Sequence, residues 1–205
     1  RMEVVPPAGP LPAPTRSPAE VRHDLGVGDA PLVVTAARMS GQKDLPTLLA
    51  AAGIVLDARP EVRFVVLGGG PAEAEVRAAH TRLGLGRAVQ LLGHRPSAAD
   101  EVAAADVVAL SSIWEGSPLA VAEALLLRRP VAVTAVGAVP EVVEDGVTGR
   151  LVPPRSPEAL AGAILDLLAD PAAARRMADA GHAVARFAPD ALVAAVERSY
   201  REVMR

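Results

Sequence analysis

The segment SSIWEGSPLAVAEALL, Ser111–Leu126, carries two carboxylates eight residues apart. Glu115 stands in a loop next to glycine and proline. Glu123 interrupts the apolar run LAVAEALLL. A carboxylate on a buried face is costly unless something pairs with it, so either that face is open or a polar group meets it there. Ser117 reads as a helix N-cap and Pro118 as the first helical residue. That assignment leaves the amides of Leu119 and Ala120 pointing out of the helix start, where an anion is readily held. A ligand at this mouth would touch Glu115, just outside the start, and Glu123, about one and a half turns in. The plainer alternatives are an exposed loop residue and a glutamate on the solvent face of a helix.

Two cations share a loop earlier in the chain, Arg38 and Lys43 in RMSGQK. Arg binds phosphate bidentately and Lys as a point charge, so the pair suits a diphosphate; a surface pair flanking a helix start is the alternative. Lys43 is the only lysine among 21 basic residues. The run GGGP, Gly68–Pro71, is not a dinucleotide fingerprint, because Glu73 stands where the last glycine of GxGxxG would fall. It reads as a tight turn into a helix. The four histidines form no HxH or HExxH, and no aspartates form a DxD pair. No metal-ligand set is therefore expected. No GxSxG or phosphate-loop motif is present.

These residues need elements to position them. Apolar runs at 31–37, 62–69, 88–93, 106–112, 130–137 and 149–153 read as strands. Stretches at 44–58, 71–84, 97–105, 118–127, 156–169, 171–185 and 189–204 read as helices, and 139–145 as a helical turn or two. The alternation predicts βαβ units and a three-layer α/β domain around a parallel sheet. The Val/Leu/Ala strands suit a sheet covered on both faces. In such a sheet ligands bind beyond the carboxyl ends of the strands. RMSGQK, GGGP, GHRP, SSIWEGSP and AVGAVPE all follow strands, so the polar and glycine-rich residues collect at one edge.

Composition limits the functions further. The 205 residues are 51% hydrophobic but only 2% aromatic, so the core is built from Ala, Val and Leu. A net charge of -3 argues against nucleic acid or a polybasic membrane contact. There is no cysteine, which fits a reducing compartment such as the cytoplasm. No apolar run is long enough to span a membrane, and no signal peptide is visible. The proline-rich start PPAGPLPAP makes residues 1–19 a linker or irregular arm.

Taken together, AARMSGQKDLPTLLAA, LLGHRP, DVVALSSIWEGSPLAVAEALL and VGAVPEVVEDGVTGRLVPPRSPEALAGAILDLLADP resemble the C-terminal, nucleotide-sugar-binding domain of the retaining GT-B glycosyltransferases of family 4, the glycosyl transferases group 1. The resemblance runs from about Glu3 to about Tyr200. It implies a Rossmann-like half of a GT-B enzyme that takes a sugar from a UDP-, GDP- or ADP-type donor without a metal or other cofactor. It also implies roles residue by residue. Arg38 and Lys43 would bind the donor diphosphate and steady the leaving group. Glu115 would face the sugar and Glu123 the ribose. The backbone from Gly116 through Ser117, Pro118 and Leu119 to Ala120 would cradle phosphate and sugar. Gly93, His94 and Arg95 would lie by the base, and Val139–Glu141 would line the cleft less directly.

The chain also departs from the family pattern. Ser117 stands where an aromatic or small residue is common, Arg129 where glycine is frequent, and PPAG where an Asn-Gly turn is usual. The family's N-terminal, acceptor-binding half is not in this sequence. The reading is therefore 1–19 as interdomain linker, 20–188 as donor domain and 189–205 as a crossover helix. That helix has an apolar stripe (Leu192, Val196, Tyr200, Val203) and is expected to be displaced, mobile or paired with another molecule. The isolated chain is expected to bind nucleotide but transfer little, and any membrane association would run through the absent half. A non-catalytic nucleotide-sugar sensor or scaffold is the alternative. A GT-B epimerase or phosphorylase is disfavoured, since a phosphorylase needs a Schiff-base lysine and Lys43 suits phosphate better.

Overall fold

The computed structural model describes residues 13–184, together with Glu197, Tyr200 and Arg201. Six strands, β1 (Leu32–Ala36), β2 (Arg63–Leu67), β3 (Val89–Gly93), β4 (Val107–Leu110), β5 (Val131–Thr134) and β6 (Arg150–Val152), alternate with helices. The helices are α1 (Pro18–Asp24), α2 (Leu45–Ala58), α3 (Glu73–Arg82), α4 (Ala99–Ala104), α5 (Leu119–Leu126), α6 (Pro157–Ala169) and α7 (Pro171–Val184). All strands pair in parallel, in the order β3-β2-β1-β4-β5-β6. This is the expected Rossmann-like α/β fold, with each strand within a few residues of its predicted place.

Strand alternation sorts the core into two layers. Val33, Phe64, Val66, Val107, Ala109 and Ala132 face α2, α3 and α6, where Leu48, Leu49, Leu160 and Ile164 are fully buried. Leu32, Val34, Val65, Leu67, Val108 and Leu110 face α1, α4 and α5. With both faces covered, every residue of β4 and β5 is buried. No described helix is long and apolar enough to cross a membrane.

The sequence reading missed α1, which begins inside the segment read as an arm. Ser17 caps it in a reciprocal box: the Glu20 amide donates to the Ser17 hydroxyl, and the Ser17 amide donates to the Glu20 carboxylate at 2.8 Å. Such a box satisfies two orphan amides at once. Val21 is the one buried side chain of α1, too little to show as a periodic pattern. The Thr15 and Arg16 amides donate to Asp100 of α4, which ties the end of the arm down.

The close of α5 is a defined cap. The Arg128 amide donates to Leu125 O and the Arg129 amide to Ala124 O, a Schellman motif. Its left-handed position is Arg128, at φ 53, a conformation that favours glycine. The proposed crossover helix, 189–204, lies almost entirely outside the described residues.

Candidate functional site

The chain reverses direction along the sheet between β1 and β4, which opens a crevice at their carboxyl ends. Backbone bonds stitch the loops there in sheet order. Gly68 N donates to Gly93 O, Met39 N to Gly69 O, Ile113 N to Gln42 O and Ala138 N to Glu115 O. Gln42 Nε2 adds a bond to Trp114 O, and Ser111 Oγ donates to the carbonyls of Lys43 and Asp44. Loops distant in sequence thus form one rim. Two glycines of GGGP are required by this packing. A β-carbon on Gly68 would lie 1.9 Å from Ala37 O, and one on Gly70 2.4 Å from Met39 O.

At the crevice Lys43 Nζ meets Glu115 Oε1 at 2.5 Å. Ser112 Oγ donates to the same oxygen at 2.6 Å. Glu115 is only 6% exposed, so its charge is compensated inside the protein, as a buried charge must be. Ser112 is held in turn, its carbonyl accepting from Thr134 Oγ1 at 2.6 Å. Arg38 is exposed and has no ion pair among the described residues. The loop thus presents one neutralised cation and one available one.

The start of α5 differs from expectation. Pro118 is the N-cap residue, with φ -81 and ψ 63, and Ser117 makes no capping bond. Those angles describe an inverse γ-turn, closed by Leu119 N donating to Ser117 O at 2.9 Å. The Leu119 amide is therefore not available to an anion. The amides of Gly116, Ser117 and Ala120 donate to no protein group among the described residues. The Ser117 hydroxyl is buried without a partner among the described residues. Trp114, 61% exposed, lies over Gly116, its ring within 3.5 Å of where a β-carbon there would stand.

Glu123 answers the question of the interrupted helix. α5 buries Val121, Ala122, Ala124 and Leu125, whereas Glu123, with Leu119 and Ala120, stands on the less covered face. Its carboxylate makes no bond among the described residues, and desolvation by burial raises its pKa. A carboxyl whose folded pKa exceeds its unfolded value lowers stability as pH rises past the unfolded value. Glu123→Gln should therefore raise the melting temperature at pH 7, by a few degrees at most, and change it little near pH 4. Calorimetric scans at the two pH values check this, and a lower melting temperature at pH 7 would contradict it.

Gly93 has φ 72, and His94 and Arg95 after it are exposed. His94 lies beside Gly69, which places it on the rim, while Arg95 stands 3.9 Å from Glu101. Val139–Glu141 forms a single 3-10 turn, with Val139 buried. The structure thus joins Lys43 to Glu115 directly. It leaves Glu123, His94, Arg95 and Arg38 on nearby elements without mutual bonds. Sequence reading missed Ser112, Gln42 and Gly137 as supports of the site. The pair SS directly after a buried strand was the available sign for Ser112. Among the described residues no three His, Asp or Glu gather where they would hold a metal.

Residues 30–170 match the family described as glycosyl transferases group 1. An α-D-kanosaminyltransferase of Streptomyces kanamyceticus is 32% identical over 78% of this chain and 42% of its own length. A D-inositol 3-phosphate glycosyltransferase of Segniliparus rotundus is 35% identical over 91% of this chain and 43% of its own. The chain spans about half the length of the curated relatives it matches. Among solved structures, Anabaena HepE in complex with UDP superposes at TM-score 0.84 with 27% identity, over 90% of this chain and 52% of that one. The C-terminal domain of a group 1 glycosyl transferase from Francisella tularensis matches at TM-score 0.74 with 23% identity, over 84% of this chain and 92% of that one. The chain belongs to the glycosyl transferases group 1, and its fold is that of the C-terminal half of the GT-B enzymes.

Proposed function

We infer that this chain is the donor-binding half of a retaining, metal-independent, cytoplasmic glycosyltransferase that uses a nucleoside-diphosphate sugar. The observation that carries the reading is the Lys43–Glu115 pair at the β1/β4 crevice, with Arg38 exposed in the same loop as Lys43. A diphosphate entering the crevice is a stronger partner for Lys43 than a carboxylate shared with Ser112. Arg38 and Lys43 then hold the diphosphate and offset the charge that builds on it as the glycosidic bond breaks. Glu115, released from Lys43, accepts hydrogen bonds from sugar hydroxyls. Glu123 accepts from the ribose, and His94 and Arg95 flank the base. The free amides of Gly116, Ser117 and Ala120 complete the cradle. Pro118 and Leu119 shape it rather than donate to it. The acceptor site belongs to the family's other half, so this chain alone binds donor and transfers little.

The division between the two glutamates is testable on this chain. Glu123→Ala should weaken the bare nucleoside diphosphate about tenfold, the loss of one or two charge-assisted hydrogen bonds. Glu115→Ala should leave the bare nucleotide as tight or tighter, because Lys43 loses its internal competitor, and should remove whatever affinity the sugar adds. Titrations of nucleotide and nucleotide-sugar, followed by the fluorescence of Trp114, measure both; Trp114 is the only tryptophan in the chain. Identical losses in the two variants would refute this division of roles.

A further inference from the structure

The edge of the sheet opposite the crevice holds a second feature. Pro31, Asp106 and Pro130, which precede β1, β4 and β5, open onto a cavity of about 630 Å³ closed by α6 and α7. Arg22, Arg59, Arg128, Arg129 and Arg175 line it, against Asp29, Asp106 and Asp179. Three of the arginines are occupied. Arg22 pairs with Asp106 at 3.0 Å and donates to three carbonyls. Arg59 pairs with Glu61 at 2.9 Å. Arg128 pairs with Asp179 at 2.7 Å.

Arg129 and Arg175 differ. Arg129 donates only to the carbonyls of Leu127 and Ala105 and has no carboxylate within ion-pair distance among the described residues. Arg175 is exposed and has no ion pair or hydrogen bond among them. Asp29 lines the same cavity and pairs with neither. Burial disfavours the charged form of Arg129; Asp106 favours it and Arg175 opposes it. Two guanidiniums therefore line one cavity with donors to spare. Arg128 adds to this at a cost, since the left-handed backbone that carries its side chain to the rim favours glycine.

We propose that this cavity binds a phosphate-bearing small molecule through Arg129 and Arg175, at a site separate from the nucleotide crevice. Guanidinium forks match phosphate oxygens bidentately, and a phosphate in this cavity gives both arginines the anionic partner that neither has among the described residues. The volume suits a phosphorylated metabolite rather than a lone ion, small-molecule sites ranging over about 300–1,000 Å³. The net charge of -3 disfavours a polyanion such as nucleic acid. The cavity lies at the amino ends of the strands, so its occupant does not displace a nucleotide at the carboxyl ends.

The test is a titration of the full chain with pyrophosphate and with glucose 6-phosphate, using glucose as control, read by nuclear magnetic resonance at backbone amides and arginine Nε–H groups. Both phosphates should shift signals around residues 127–129 and 174–176, with midpoints below about 1 mM, and glucose should not. Arg175→Glu should weaken that response about tenfold or more while leaving signals at residues 38–43 unchanged; Arg129→Gln should weaken it comparably. Arg38→Ala should change only the response at the crevice, so the two sites fail or succeed independently. No shift at the amino edge up to about 10 mM, or a shift that Arg175→Glu leaves intact, would overturn the proposal.

Discussion

Replacing Lys43 by Met should lower the stability of this domain by about 3 kcal/mol, and adding Glu115→Gln should return most of the loss. The single change leaves a carboxylate that is 6% exposed with the Ser112 hydroxyl as its remaining partner. Taking one member from a buried ion pair strands the other's charge, which is why such losses exceed what the pair itself contributes. The double variant removes both charges and keeps an acceptor for Ser112, so no stranded ion remains. Urea unfolding of the two single variants and the double gives the coupling directly. A coupling below about 0.5 kcal/mol would mean the carboxylate finds water when Lys43 is gone. The same cycle bears on function, because the donor diphosphate must draw Lys43 away from Glu115. A tightly coupled pair makes that exchange selective for a strong anion.

Gly137→Ala should cost about 3–5 kcal/mol and dislodge Glu115. Gly137 has φ 52, and a β-carbon there would stand 1.9 Å from Glu115 O and 2.8 Å from its carbonyl carbon. Neither contact can be relieved by rotating a side chain, since both involve backbone. The left-handed conformation adds roughly 1–2 kcal/mol for any residue with a β-carbon. The loop after β5 supports the loop after β4 at this point, with Ala138 N donating to Glu115 O at 3.1 Å. Forcing the two apart shifts Glu115 away from Lys43 and Ser112. Unfolding curves measure the cost, and nucleotide-sugar affinity should fall with it. Wild-type stability in this variant would show that the two loops are not in contact as described.

Much of this was legible in the sequence. Continuous Val/Leu/Ala strands between amphipathic stretches report a sheet covered on both faces. The rule that ligands gather at carboxyl ends then selects RMSGQK and SSIWEGSP. That rule marks Glu115, Arg38 and Lys43 as candidates, and the resemblance implies their roles. What stayed hidden depends on contacts or angles. The Lys43–Glu115 pair joins residues 72 apart, and no local pattern marks it. The γ-turn at Pro118 depends on a ψ value that Ser-Pro leaves open, so Ser117 looked like a cap and Leu119 like an open donor. GGGP departs from the dinucleotide motif in sequence, and its constraint, carbonyls of the neighbouring loop at near-contact distance, appears only in three dimensions. α1 was hidden because a single buried valine gives no periodicity.

Glu115 and Glu123 end with different environments, one paired and enclosed, the other half-buried and without a bond among the described residues. That asymmetry is what the donor-binding account uses. The most direct test of the account is calorimetric titration of the chain with UDP, GDP and ADP in excess EDTA. At least one should bind with a dissociation constant below about 1 mM, and Arg38→Ala should weaken it about tenfold. Failure of all three nucleotides to bind, or binding that Arg38→Ala leaves untouched, would contradict the account.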